Sequence, residues 1–139
     1  MFRIKKLNRY TIPPVKKPGD AGYDIYSCKE AIIMPGERLL IGAGFAAEFP
    51  SNYVGRICDR SGIAARLGLH VMAGVIDASY RGEWSVLLYN ASDKRVIVDA
   101  QTRIAQVLFY KVADFLVMEV DKLSETKRGT GGFGSTGVK

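Results

Sequence analysis

The sequence predicts an all-β domain, a jelly-roll-like barrel or sandwich with one short helix and a flexible, glycine-rich C-terminal tail. Three observations lead there. No stretch keeps a helical apolar period for more than about two turns. Short apolar or alternating runs recur along the chain instead. Turn residues separate them, at Pro18-Gly19, Pro35-Gly36, Pro50-Ser51-Asn52, Arg81-Gly82 and Ala91-Ser92-Asp93. Many short strands broken in this way are the pattern of a sandwich or barrel.

In chain order, Asp24–Cys28 and Ala31–Met34 are brief apolar runs, the second stopped by Pro35-Gly36. Arg38–Ile41 follows that turn, and Tyr53–Asp59 follows Pro50-Ser51-Asn52. Ser61–Leu67 is the one helix candidate, with Ile63, Ala64 and Leu67 at i, i+1 and i+4. Leu69–Ala73 is an apolar strand. Glu83–Asn90 alternates strictly, with Trp84, Val86 and Leu88 on one face and Ser85, Leu87 and Tyr89 on the other. Both faces are largely apolar, so this strand needs cover from a second sheet or another subunit. Arg95–Val98 and Arg103–Tyr110 close the strand set. The composition changes once: residues 124–139 hold Gly129, Gly131, Gly132, Gly134 and Gly137, with only Phe133 and Val138 as large apolar side chains. Such a tail cannot bury enough surface to order itself. The expected division is a β domain over residues 1–123 and a tail over residues 124–139.

At 139 residues, 47% hydrophobic and 24% charged, the chain has the size and composition of one globular domain. A chain of this size buries about 68% of its unfolded surface, enough to do without staples. Cys28 and Cys58 could form one bridge at most, and nothing demands it; two free thiols in a reducing compartment is the simpler reading. One histidine, His70, and two distant cysteines exclude a zinc site built on His and Cys. The uncharged run Leu67–Ile76 is too short to span a bilayer. The basic start, Met1 to Lys6, lacks the apolar region of a signal peptide, and a cytoplasmic or nuclear protein is expected. The net charge of +6 is concentrated in residues 1–19, where Arg3, Lys5, Lys6, Arg9, Lys16 and Lys17 occur without an acid. Either a solvated basic end or an arm for an anionic partner fits this run.

Several segments carry chemistry. Gly129 to Thr136 is rich in glycine, with Ser135, Thr136 and the neighbouring Arg128 suited to phosphate oxygens. It is not a Walker A loop, because Gly134 is followed by Ser135 rather than lysine and no helix follows. Asp77 stands between an apolar strand and a turn, three residues before Tyr80; alone such an acid is more often a turn former than a catalyst. Asp59-Arg60-Ser61-Gly62 puts a guanidinium and a hydroxyl at the start of the helix, where Ser61 alone would be an N-cap. Asp20 to Asp24 and Arg103 to Gln106 mean little in isolation.

Taken together and in order, these segments resemble the five motifs of the trimeric dUTPases. They are Ala21-Gly22-Tyr23-Asp24-Ile25, Arg60-Ser61-Gly62-Ile63-Ala64, Gly74 through Gly82, Arg103-Ile104-Ala105-Gln106, and Arg128 through Gly137. The resemblance spans essentially the whole chain. It departs from the family pattern at Ser79, where a second acid is common, and at Asp59, where proline is usual.

The resemblance implies hydrolysis of dUTP to dUMP and pyrophosphate, by in-line attack of water on the α-phosphorus, with Mg²⁺ chelated by the triphosphate. Such a reaction keeps uracil out of DNA and supplies dUMP for dTTP synthesis. Asp77 takes the place of the water-activating base. Arg60, Ser61, Gly62, Gln106, Arg128 and Ser135 take phosphate-side places, with Gly134 and Thr136 beside them. The uracil-reading hairpin maps to Val71 through Asp77, including Gly74, Val75 and Ile76. Tyr80 would pack on deoxyribose, Ser85 lies at the substrate, and Phe133 would stack on the base. Asp24 would either hold a water of the metal or hydrogen-bond Arg60. The resemblance also implies a homotrimer with shared active sites, no membrane association and no specific nucleic-acid target. A dCTP deaminase-like enzyme and a non-catalytic interaction protein of the same fold are the alternatives.

Overall fold

Antiparallel pairing organises the chain into four small sheets in the computed structural model, which describes residues 1–132. The elements are β1 (Arg3–Lys6), β2 (Tyr23–Tyr26), β3 (Ala31–Ile33), β4 (Arg38–Gly42), β5 (Phe45–Glu48) and β6 (Tyr53–Cys58), then the helix α1 (Ser61–Leu67). After it come β7 (Leu69–Met72), β8 (Val75–Ile76), β9 (Ser85–Asn90), β10 (Val96–Val98) and β11 (Arg103–Lys111). Spatial orders are β2-β11-β6-β8, β4-β9-β7, β1-β5 and β10-β3.

The inner faces meet in one core. Ile25, Ile33, Phe45, Trp84, Val86, Leu88, Ile104 and Val107 are buried in it. Trp84 is its centre, with Phe45, Phe2 and Phe49 at ring-centroid distances of 5.3, 5.8 and 6.2 Å. Thr11, Ser27 and Asn90 are satisfied, as burial demands, whereas the indole Nε1 of Trp84 finds no partner among the described residues. Thr11 Oγ1 donates to Gly44 O at 2.6 Å, Ser27 Oγ to Asp99 O at 2.9 Å, and Asn90 Nδ2 to both Ile33 O and Lys94 O.

The all-β architecture, the single short helix and its limits agree with the sequence reading. Three strands lay outside it. β1 is Arg-Ile-Lys-Lys, an edge strand of the charged kind that resists edge-to-edge pairing, and its charges had read as a solvated end. β5 is buried at Phe45, Ala46 and Ala47 alike, so it shows no alternation. β8 is two residues long. The segment Val71 to Asp77 is not a paired hairpin: β7 pairs with β9, whereas β8 pairs with β6. Ala73 (φ 60°) and Gly74 (φ 97°) make the turn from one sheet to the other. A side chain at Gly74 would also meet the Ile57 carbonyl oxygen at 2.7 Å, so glycine is required there twice over. Regular structure ends at Lys111, well before residue 124. Residues 112–132 form neither helix nor strand.

The outer face of β9 is apolar, as alternation required. Leu87 lies between Leu40 on β4 and Met72 on β7, and Leu40 is 61% exposed.

Candidate active site

Two depressions hold most of the residues singled out by sequence. The first is a polar cleft of about 370 Å³ between the loop before β2, the start of α1 and β11. Asp24, Arg60, Ser61, Gly62 and Gln106 line it, joined by Lys17, Asp20, Ala21, Gly22 and Arg103. Arg60 Nε donates to Asp24 Oδ1 at 2.7 Å, and Arg103 Nη1 reaches Asp24 Oδ2 at 3.5 Å. A carboxylate between two guanidiniums fixes their positions while leaving other N–H groups of each free to bind an anion. With Lys17, three cations face two carboxylates across the cleft.

A local irregularity brings Arg103 and Gln106 to one cleft. Three residues apart on a regular strand, they would point to opposite faces. The register against β2 shifts between Arg103 and Ala105, so Ile104 and Ala105 are both buried and the strand regains its phase at Gln106. The side-chain amide of Gln106 donates to Asp59 O at 2.8 Å, so one of its two N–H groups serves the corner between β6 and α1. Gly22 admits the Gln106 side chain: a Cβ there would meet its Oε1 at 2.7 Å. Ser61 is the first residue of α1; Arg60, in extended conformation, is its N-cap, with no side-chain cap. Gly68 (φ 65°) ends the helix, as a left-handed cap does.

The second depression, about 290 Å³, is lined by Leu40, Val75, Ile76, Asp77, Tyr80, Glu83 and Ser85. Asp77 is exposed at the start of a turn closed by Tyr80 N donating to Asp77 O at 3.0 Å. Tyr80 is held over Gly82, its hydroxyl donating to Glu83 O at 3.1 Å. Arg81 fastens the same turn through Ala78 O at 2.6 Å. It also faces Glu48 at 3.8 Å, whose hydrogen bond from Arg3 holds its carboxyl below the usual carboxylate range.

The two depressions share no lining residue. Within one chain, Asp77 and Tyr80 are therefore not assembled with Arg60 and Ser61. The second depression takes in Leu40 and thus opens beside the apolar outer face of β4-β9-β7. Val71 lies in neither; it is buried, and its N–H donates to Asp59 Oδ1 at 2.6 Å. Arg128 also lies in neither, its Nε donating to Gly131 O at 2.9 Å. Phe133, Gly134, Ser135 and Thr136 fall outside the described residues.

Sequence reasoning missed Lys17, Asp20 and Arg103 as cleft residues, and Leu40 and Glu83 in the second depression. Arg103 opens the fourth motif, a signal that was present. Lys17 was hidden in the basic N-terminal run. Among the described residues no group of three or more His, Cys, Asp or Glu could hold a metal ion. No helix among them is long and apolar enough to cross a membrane.

Comparison with known proteins shows the family. The dUTPase family model matches residues 8–137. A deoxyuridine 5'-triphosphate nucleotidohydrolase of Nautilia profundicola is 44% identical over 139 residues, covering 98% of each chain. A Staphylococcus bacteriophage 80alpha dUTPase mutant, solved with dUpNHpp, superposes with a TM-score of 0.93 at 26% identity, covering 99% of each chain. A mutant dUTPase from phage phi11 of S. aureus, described with a structural Mg(II) ion, shares the fold at 20% identity and a TM-score of 0.84, covering 90% of this chain and 99% of its own. With the fold, the ordered motifs and a family match over nearly its whole length in agreement, the chain belongs to the dUTPase family.

Proposed function

We propose that the protein hydrolyses dUTP to dUMP and pyrophosphate at sites shared between three copies of the chain. The observation that carries this reading is the division of the site. One face offers cations and the Ser61 hydroxyl for phosphate, and a separate face offers a carboxylate and an aromatic ring beside an apolar surface that needs cover. Bringing the second depression of one copy against the first of another completes the machinery. A second surface also needs cover: Phe115, Leu116 and Val117 are 84, 94 and 93% exposed in the arm after β11. Burying both surfaces against other copies makes a homotrimer. Light scattering at micromolar concentration should give the mass of three chains; the mass of one chain contradicts the shared site.

In this reading Arg60, Lys17 and Ser61 hold the phosphates, and Arg103 fixes Asp24 and through it Arg60. Asp77 takes a proton from water as the water oxygen bonds to the α-phosphorus. The bond from that phosphorus to the bridging oxygen breaks, and pyrophosphate leaves with the electron pair. A positioned base supplies roughly 10²–10⁴ in rate, and preorganised cations meet the charge that develops on the phosphates. The described residues do not fit a protein-built Mg²⁺ cage. Both oxygens of Asp24 already accept from guanidiniums, which leaves it at most a contact through water. Mg²⁺ would arrive on the triphosphate as part of the substrate, because it keeps several of its waters and needs few protein ligands. In this reading the backbone of the Ala73-Gly74 turn is offered to uracil, as the resemblance implies.

Incubation with dUTP, dCTP and single-stranded DNA tests the function. Pyrophosphate released from dUTP, with no ammonia from dCTP and no retained DNA, is expected. Ammonia release would favour a deaminase, and no turnover of either nucleotide an interaction protein. Tyr80 is fixed over Gly82, and in this reading its ring packs on the deoxyribose and excludes a 2′-hydroxyl. Tyr80→Ala should therefore narrow the preference for dUTP over UTP by roughly 10- to 100-fold, the scale on which a pocket rejects an added hydroxyl. Unchanged discrimination in parallel kcat/KM measurements removes Tyr80 from sugar selection.

A further inference from the structure

The geometry points to Asp59 as a positioning residue that aims Arg60 and Ser61 into the phosphate cleft, in the place where the family pattern has proline. The inference rests on the reading of that cleft as the phosphate site. Asp59 follows the last residue of β6 and is held at three points. Its Oδ1 accepts the Val71 N–H at 2.6 Å, its Oδ2 accepts from His70 Nδ1 at 2.7 Å, and its main-chain oxygen accepts from Gln106 Nε2 at 2.8 Å. A carboxylate only accepts, so the His70 proton is on Nδ1.

These bonds join three parts of the molecule: the end of β6, the outer edge of β7, and β11. The next residue, Arg60, is extended and reaches across to Asp24. The helix that follows has no side-chain N-cap and no fully buried residue, and packs on the core only through the part-buried Ile63 and Leu67. The Asp59 clamp adds a polar tie from the start of the helix to the sheet edge. A proline in this place would set the corner through its fixed φ. Asp59 does so through hydrogen bonds to a charged acceptor, the stronger kind. The same carboxylate satisfies a β7 edge N–H that faces away from β9.

Loss of the clamp should weaken grip on phosphate and leave the base and sugar side alone, since Asp77 and Tyr80 line the other depression. In the full-length trimer, Asp59→Ala should raise the inhibition constant of inorganic pyrophosphate roughly tenfold, the scale of one hydrogen bond to a charged group. That of deoxyuridine, which has no phosphate, should stay unchanged. Asp59→Asn keeps an oxygen for Val71 N–H but loses the charge, and should give roughly a threefold change in the same direction. His70→Ala, which removes one of the two carboxylate partners, should act likewise. Thermal melts and light scattering report whether each variant folds and assembles; if the alanine variant does not fold, Asp59→Asn and His70→Ala carry the test. Equal losses for pyrophosphate and deoxyuridine, or no loss in folded variants, overturn the inference alone. A wild-type protein that neither turns over dUTP nor is inhibited by pyrophosphate overturns the phosphate reading and this inference with it.

Discussion

Asp77→Asn should lower kcat for dUTP by roughly 10²-fold or more while leaving nucleotide affinity nearly unchanged. Asparagine keeps the shape and hydrogen-bonding reach of the side chain but cannot take a proton from water. Asp77 is exposed at the head of a turn that Tyr80 N and Arg81 close through backbone oxygens. The substitution therefore removes no buried contact, and the fold and melting temperature should be unaffected. Single-turnover pyrophosphate release, with binding of a non-hydrolysable analogue measured alongside, checks this. A variant retaining more than about a tenth of wild-type kcat contradicts the assignment of the base, for which 10² is the lower limit expected.

Truncation after Lys127 should have the second large effect, lowering kcat by roughly 10²-fold, the scale of losing a preorganised donor to developing charge. The motivation is Arg128 and the fifth-motif residues that follow it. Among the described residues Arg128 is exposed, bonds within its own turn and lines neither depression of its own chain. In the proposed reading its guanidinium acts on phosphate. The truncated chain keeps the exposed apolar stretch around Phe115 to Val117, so trimers should persist, at the mass of three truncated chains. Normal kcat in the truncated trimer would remove the fifth motif from the reaction.

Much of this was legible in the sequence for definite reasons. Strict alternation in Glu83–Asn90 exposed a strand with two apolar faces, and the structure puts β9 in mid-sheet with Leu87 beside Leu40 outside. Helix α1 was legible because Ile63, Ala64 and Leu67 share a face; the left-handed Gly68 that ends it is seen in the structure. What was hidden depends on pairing partners rather than local pattern. β5 has no period because Phe45, Ala46 and Ala47 are all buried, and β8 is too short for one. The bulge at Ile104 that turns Arg103 and Gln106 to one cleft has no mark in Arg-Ile-Ala-Gln. Asp59 stood out only as a departure, an unwelcome negative charge beside phosphate. In the structure that charge is turned away to Val71 and His70. Asp24 had two roles open to it, and its bonds to Arg60 and Arg103 give it the structural one first.

The central claim is that one active site is built from more than one chain, and subunit mixing tests it most directly. Asp77→Asn chains and chains truncated after Lys127 should each be nearly inactive alone. Refolded together, they form mixed trimers, which native mass spectrometry counts. If tails serve a neighbour's site, some sites in a mixed trimer join an intact Asp77 from one chain to an intact tail from another. Pyrophosphate release should then return to a substantial fraction of wild type, rising with the population of mixed trimers. Mixed trimers confirmed by mass, with no recovery of activity, would contradict the shared site.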